Sequence, residues 1–157
     1  SSHAPLVMPC LNKLDYEGGF WPIKITSVLD EDVLSWIENH LSLITLGPRD
    51  DLYDVLENTQ INKENAEALS YAAKQCWYAI VRKDLQGFGE YFKKSFEAQI
   101  KMFPNMVYND IFKTIERYKN TAYGWKLSGA GGGGYLVFVT EHTLSGAIQL
   151  KIRRKTL

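Results

Sequence analysis

Cysteine is scarce in this chain: Cys10 and Cys76 are the only two in 157 residues. That is too few for a disulfide framework. Cys76 falls on an apolar helical stripe, where a thiol reads as a small buried hydrophobe. His3, His40 and His142 are scattered without metal-ligand spacing, so no metal site is expected. Neither sign of charge dominates, with 18 Lys+Arg against 18 Asp+Glu. No basic stripe with interleaved aromatics occurs, which argues against a nucleic-acid partner. The one basic cluster, Lys151-Ile152-Arg153-Arg154-Lys155, reads as a solvated last strand and tail. No signal-like or membrane-length apolar run is found. No membrane partner is therefore expected, and a reducing, cytoplasmic setting fits best. Repeats are lacking too, and the one low-complexity segment is a run of glycine.

What remains is the composition of a packed globule, 45% hydrophobic and 13% aromatic. The length fits one domain over residues 1–157 with a real core. Residues 1–19 are mixed, punctuated by Pro5, Pro9 and Gly18-Gly19. Trp21 to Val28 alternates apolar and polar, the pattern of a half-buried strand. Asp30-Glu31-Asp32 opens a helix with its acidic groups at the favourable end. Val33, Leu34, Trp36, Ile37 and Leu41 give that helix an apolar face. Leu43 to Leu46 is a short strand, stopped by Gly47-Pro48. The polar stretch from Arg49 to Ile61 reads as a loop.

Asn62 is a suitable N-cap for a long helix to about Lys83. Its stripe is Ala66, Leu69, Ala73, Cys76, Trp77 and Ile80. A second helix follows from Leu85 to Met102, with Phe88, Tyr91, Phe92, Phe96 and Ile100 as its stripe. The short connection implies an antiparallel pair. Pro104 ends that helix, and Asn109 to Lys119 forms a third with Ile111, Phe112, Ile115 and Tyr118 inward. Strands are expected at Tyr123–Leu127, Tyr135–Thr140 and Ala147–Ile152. A helical centre flanked by strands predicts an α+β fold, an antiparallel sheet with helices packed on one face. The strands around Ile25, Ile44, Val137 and Ile148 are expected to share that sheet.

The most informative segment is Lys126-Leu127-Ser128-Gly129-Ala130-Gly131-Gly132-Gly133-Gly134-Tyr135-Leu136. It holds five of the 12 glycines in six positions, between apolar runs. Glycine reaches positive φ freely and has no Cβ, so backbone N–H groups there can approach a ligand closely. Gly129-x-Gly131-x-x-Gly134 matches the dinucleotide fingerprint literally. That fingerprint needs a helix directly after the glycines, and here a β-branched, aromatic run follows. A protein-kinase glycine loop needs H-R-D and D-F-G further along, and neither occurs.

The segment from Trp125 to Leu136 resembles the third motif of the GHMP kinases, a superfamily named for galactokinase, homoserine kinase, mevalonate kinase and phosphomevalonate kinase. The likeness is greatest to its sugar-kinase branch, which acts on heptose phosphates and L-fucose. Leu43-Ile44-Thr45-Leu46-Gly47-Pro48-Arg49 is similar to that branch's strand ending in Gly and then Arg. The helices over 62–83 and 88–102 and the Phe103-Pro104-Asn105 turn follow its layout in order. The resemblance covers Ile23 to Ile152, and the glycine motif is its most specific part. It implies a ferredoxin-like C-terminal domain of a GHMP kinase. The superfamily's second motif, a Pro-x-x-x-Gly-Leu-Gly-Ser-Ser phosphate loop, has no counterpart here, nor has the Asp beside the acceptor hydroxyl. The resemblance places both in an N-terminal ATP-binding domain, so this chain looks like the C-terminal domain alone, with no catalytic residue of its own. A non-catalytic α+β binding or assembly domain that keeps the loop for structural reasons is the alternative.

By resemblance, the chain contributes to an ATP-dependent sugar or sugar-phosphate kinase. Ser128 and the backbone of Gly129, Ala130, Gly131, Gly132 and Gly133 are the expected phosphate-loop groups. ATP and Mg are expected to be held mainly by the N-terminal kinase domain. Arg49 follows a strand end; it either clamps a sugar phosphate bidentately or pairs with Asp50, Asp51 or Asp54. Lys126 is either a phosphate contact or part of a solvated strand face. A surface left uncovered by a missing neighbour, with the Trp21 segment and the glycine loop at its margins, favours association, a homodimer included.

Overall fold

The computed structural model describes residues 11–15, 24–47, 60–107, 109–128 and 134–154. In chain order these form β1 (Leu11–Asp15), β2 (Lys24–Val28), α1 (Glu31–His40), β3 (Leu41–Thr45), α2 (Lys63–Val81) and α3 (Leu85–Met102). A single 3-10 turn (Pro104–Met106), α4 (Asn109–Tyr118), β4 (Ala122–Ser128), β5 (Tyr135–Thr140) and β6 (Ile148–Gln149) follow. Polar side chains start the first three helices. Asp30 accepts from the Asp32 amide at 2.9 Å, Asn62 from Asn65 at 2.8 Å and Asp84 from Gly87 at 3.0 Å. Each satisfies an amide that the first helical turn leaves without a partner.

The fold is α+β, an antiparallel sheet with helices packed on it, as the order of periods predicts. Four strands run in the order β4-β5-β3-β6, every pair antiparallel. Leu43 stands opposite Val137 and Ile44 opposite Leu136. Side chains alternate across a strand, so these two pairs face opposite ways. Leu41, Val137 and Val139 pack with Val33 and Ile37 of α1, Ala79 and Ile80 of α2, and Phe88 of α3. Leu127, Leu136 and Phe138 pack on the other side with Phe96 of α3 and with Ile111 and Ile115 of α4. The long helix pair thus covers one face as expected, and α4 with the second half of α3 seals the face behind it. Two buried hydroxyls in the sheet satisfy each other: Ser42 Oγ lies 3.0 Å from Thr140 Oγ1 and accepts from the Leu144 amide at 3.0 Å.

Three expectations need correction. The strand around Ile25 does not join the four-stranded sheet; β2 pairs antiparallel with β1 in a separate two-stranded ribbon, Leu14 opposite Ile25. Ile25 is 45% exposed there, because one short partner strand covers little of it. Leu11–Asp15 was too short and too sparsely apolar to show a period. Phe112 is 49% exposed, while Ile111 and Ile115 are buried. The inward line of α4 runs through i and i+4, and Phe112 sits one residue off it. On α2, Ala66 and Ala73 face solvent; Ile80 is buried as expected, and Ala72 and Ala79 are buried with it.

The turn between α2 and α3 carries a local strain. Lys83 has φ 57°, in the left-handed region that glycine prefers. Its amide donates to Ile80 O at 3.0 Å and that of Asp84 to Ala79 O at 2.8 Å, the paired bonds that close a helix on a left-handed residue. Left-handed geometry costs a side-chain residue about 1–2 kcal/mol, and glycine's extra unfolded freedom returns about 0.5–1 kcal/mol of that. Lys83→Gly should therefore raise stability by somewhat under about 1 kcal/mol. Urea unfolding would measure it, and an unchanged or lower midpoint would contradict the strain.

The C-terminal end is tied down by charge. Arg154 donates to Glu31 (Nε to Oε2, 2.8 Å) and to Glu38 (Nη2 to Oε1, 2.8 Å). The Ile152 amide donates to the same Glu38 carboxylate at 2.6 Å. Of the basic cluster, Arg154 is thus not simply solvated. Its guanidinium holds the Glu31 carboxyl down to about 2. It also lowers Glu38 from 4.5, against an opposing push from burial. Both carboxylates are favoured charged in the folded state. Their contribution is present above the unfolded value near 4.5 and is lost as pH falls through the folded values, towards about 2 for Glu31. Arg154→Met should melt a few degrees below wild type at neutral pH, and the gap should narrow steadily under acid. A gap independent of pH would mean that packing, not the ion pairs, ties the tail.

Candidate active-site edge

One end of the sheet gathers the ends of β3, β4 and β5. Ser128 closes β4 opposite Tyr135, the first residue of β5, and Thr45 closes β3 opposite the same Tyr135. The Leu46 amide donates to Gly134 O at 2.9 Å, carrying the ladder one step past the strand. Ser128 is exposed. Residues 129–134 connect two directly paired strands, so the glycine run returns the chain along the same sheet. Gly47 follows Leu46 at this edge. Gly129, Ala130, Gly131, Gly132 and Gly133 lie outside the described residues, as do Arg49, Asp50, Asp51, Asp54 and Trp21.

Lys126 is neither on a solvated face nor at the edge. Its Nζ donates to Ser95 Oγ at 2.6 Å, and Ser95 is buried in the middle of α3. Burial pushes the lysine below its usual range, with the neighbouring Cys76 opposing slightly. Burial likewise pushes the Cys76 thiol up to about 12, which keeps it protonated and unreactive at neutral pH. That agrees with the reading of Cys76 as a small hydrophobe. Among the described residues, no carboxylate forms a salt bridge with Lys126, and no cluster of three or more His, Cys, Asp or Glu is placed to hold a metal.

The position of Lys126 follows from how α3 meets β4. Gly89 and Gly124 face each other backbone to backbone. A Cβ on Gly89 would stand 2.6 Å from Tyr123 O, and one on Gly124 would stand 2.6 Å from the Gly89 carbonyl carbon. Two glycines let the helix settle directly on the strand. Two residues along β4 and about two turns along α3, this contact brings Lys126 to Ser95. Lys93 adds a cation–π contact, its Nζ 4.9 Å from the Trp125 ring centre. Gly89, Gly124 and Ser95 were not singled out from the sequence. A glycine inside a strand pattern is a sign of close backbone approach, and Gly124 carries it.

A family model described as GHMP kinases C terminal matches residues 78–156. Those residues include α3, α4, β4, β5 and the whole glycine segment. The chain belongs to the GHMP kinase family, as a C-terminal domain. Among curated proteins no match is found. Membership makes the chain part of a kinase, a phosphotransferase family that uses ATP and Mg. No described helix is long and apolar enough to cross a membrane.

Proposed function

We propose that this chain is the C-terminal domain of an ATP-dependent kinase acting on a sugar or sugar phosphate, and that an N-terminal kinase domain holds ATP and Mg. The observation that carries this reading is the segment Trp125 to Leu136, which resembles the third motif of the GHMP kinases, most of all that of the sugar-kinase branch. It joins β4 to β5 at the edge where β3 ends. Phosphoryl transfer asks mainly for positioning and charge neutralisation. The exposed Ser128 hydroxyl and glycine backbone N–H groups suit an anion with no room for side chains. They act by closing over the reacting groups held in the other domain. Of the two candidate contacts, Arg49 is the one we assign to a substrate phosphate. Lys126, turned inward to Ser95, acts only through the strand that carries Ser128. We assign the protein to the cytoplasm and expect association through the surface left for the N-terminal domain.

The test is ADP release across a panel of sugars and sugar phosphates. The 157-residue chain alone should be inactive, since no second-motif phosphate loop occurs within it. The full gene product should turn over at least one sugar or sugar phosphate. Turnover by the pure chain would overturn the division of labour. A full product that phosphorylates only non-carbohydrate alcohols would overturn the substrate class.

A further inference from the structure

Lys126 sits in a place that its partners do not explain. It and Phe92 line two cavities between the sheet and the helix pair, one of about 310 Å³ and one of about 180 Å³. The larger is walled by aliphatic side chains, with Leu43, Val137 and Leu150 among them, and reaches Ser128. Its volume is at the lower end of the range for small-ligand pockets, about 300–1,000 Å³. Among the described residues, Lys126 is the one ionisable group on its wall. An ammonium has three N–H donors, and Ser95 takes one at 2.6 Å. Among the described residues no second acceptor is found for the ammonium, which stands in a half-buried, mostly apolar setting where an unpaired charge is costly.

Among the described residues, the larger cavity offers one positive charge, the Ser128 hydroxyl and an aliphatic wall. A neutral apolar molecule would leave the ammonium uncompensated. A phosphate dianion would bring two charges to one cation. A monocarboxylate brings one charge and two acceptor oxygens, and an aliphatic tail matches the walls. We propose that the larger cavity binds a small monocarboxylic acid, its carboxylate on Lys126 Nζ and its apolar tail against Leu43, Phe92, Val137 and Leu150. Such an acid is neither phosphoryl donor nor sugar acceptor, so the site goes beyond the kinase reading and stands or falls without it.

Calorimetric titration of the 157-residue chain with butanoate, hexanoate and octanoate tests the proposal, with octan-1-ol and inorganic phosphate as contrasts. Affinity should rise about fourfold per added methylene. Octanoate should bind at least about tenfold more tightly than octan-1-ol, the value of one charge-assisted contact. Methyl NMR shifts should centre on Leu43, Val137 and Leu150. Lys126→Gln should erase the preference for acid over alcohol while tail-length dependence remains. The wild-type comparison of acid with alcohol decides the matter even if that variant folds poorly. Equal affinity for octanoate and octan-1-ol, phosphate binding as tightly as octanoate, shifts centred elsewhere, or no saturable octanoate binding below about 10 mM would each overturn the site.

Discussion

Gly124→Ala should destabilise the domain by about 3 kcal/mol or more, beyond the usual range for a single added methyl group. The new Cβ would stand 2.6 Å from the Gly89 carbonyl carbon, with still closer contact to the carbonyl oxygen. Both obstacles are backbone, so no rotamer change relieves them. Either α3 lifts off β4 or the strand bends. Lifting α3 would open the packing of Phe88 and Phe96, which belong to the clusters on the two faces of the sheet. It would also draw Ser95 away from Lys126. Gly47→Ala is the control: a Cβ there meets nothing within 4 Å, and the change should stay within about 0.5 kcal/mol. Urea unfolding of both variants measures the contrast. Similar midpoints for Gly124→Ala and wild type would mean that α3 does not rest on β4 through these glycines.

The elements most legible in the sequence were those whose signals are local. The Asn62 cap, the start of α3 after Asp84 and its end before Pro104 all came from side chains acting within a few residues. Tyr135–Thr140 was legible because a continuous apolar run marks a strand buried on both faces, and five of its six residues are buried. The ribbon of β1 with β2 was not legible, because pairing between sequence-distant short strands leaves no periodic trace in either. The tie of Arg154 to Glu31 and Glu38 spans more than a hundred residues and reads in the sequence as a basic tail. Lys126 shows the same limit at the candidate site. Its position in the motif is plain from residue types, but its direction depends on Gly89 meeting Gly124, a contact between two elements. Ser95 had no signal at all, since a serine on a helix is ordinary until a lysine arrives beside it.

Gly131→Val in the full-length kinase should reduce kcat/KM by about a hundredfold or more while leaving the fold largely intact. Gly131 lies in the middle of the connection between Ser128 and Tyr135, paired residues at the end of the sheet. Valine removes glycine's access to positive φ and adds a branched side chain where we propose backbone N–H groups meet phosphate. The stability loss should be modest, on the order of 1–3 kcal/mol, because the strain of one loop residue is local. The kinetic loss should be larger, since small displacements of positioning groups are felt fully in the transition state. Steady-state kinetics for ATP and for the sugar, set beside a thermal melt, separate the two effects. Loss in kcat/KM with a melt within a few degrees of wild type supports the positioning role. A variant that melts far below wild type, with its folded fraction turning over normally, would make the glycine run structural and return the chain to a binding or assembly domain.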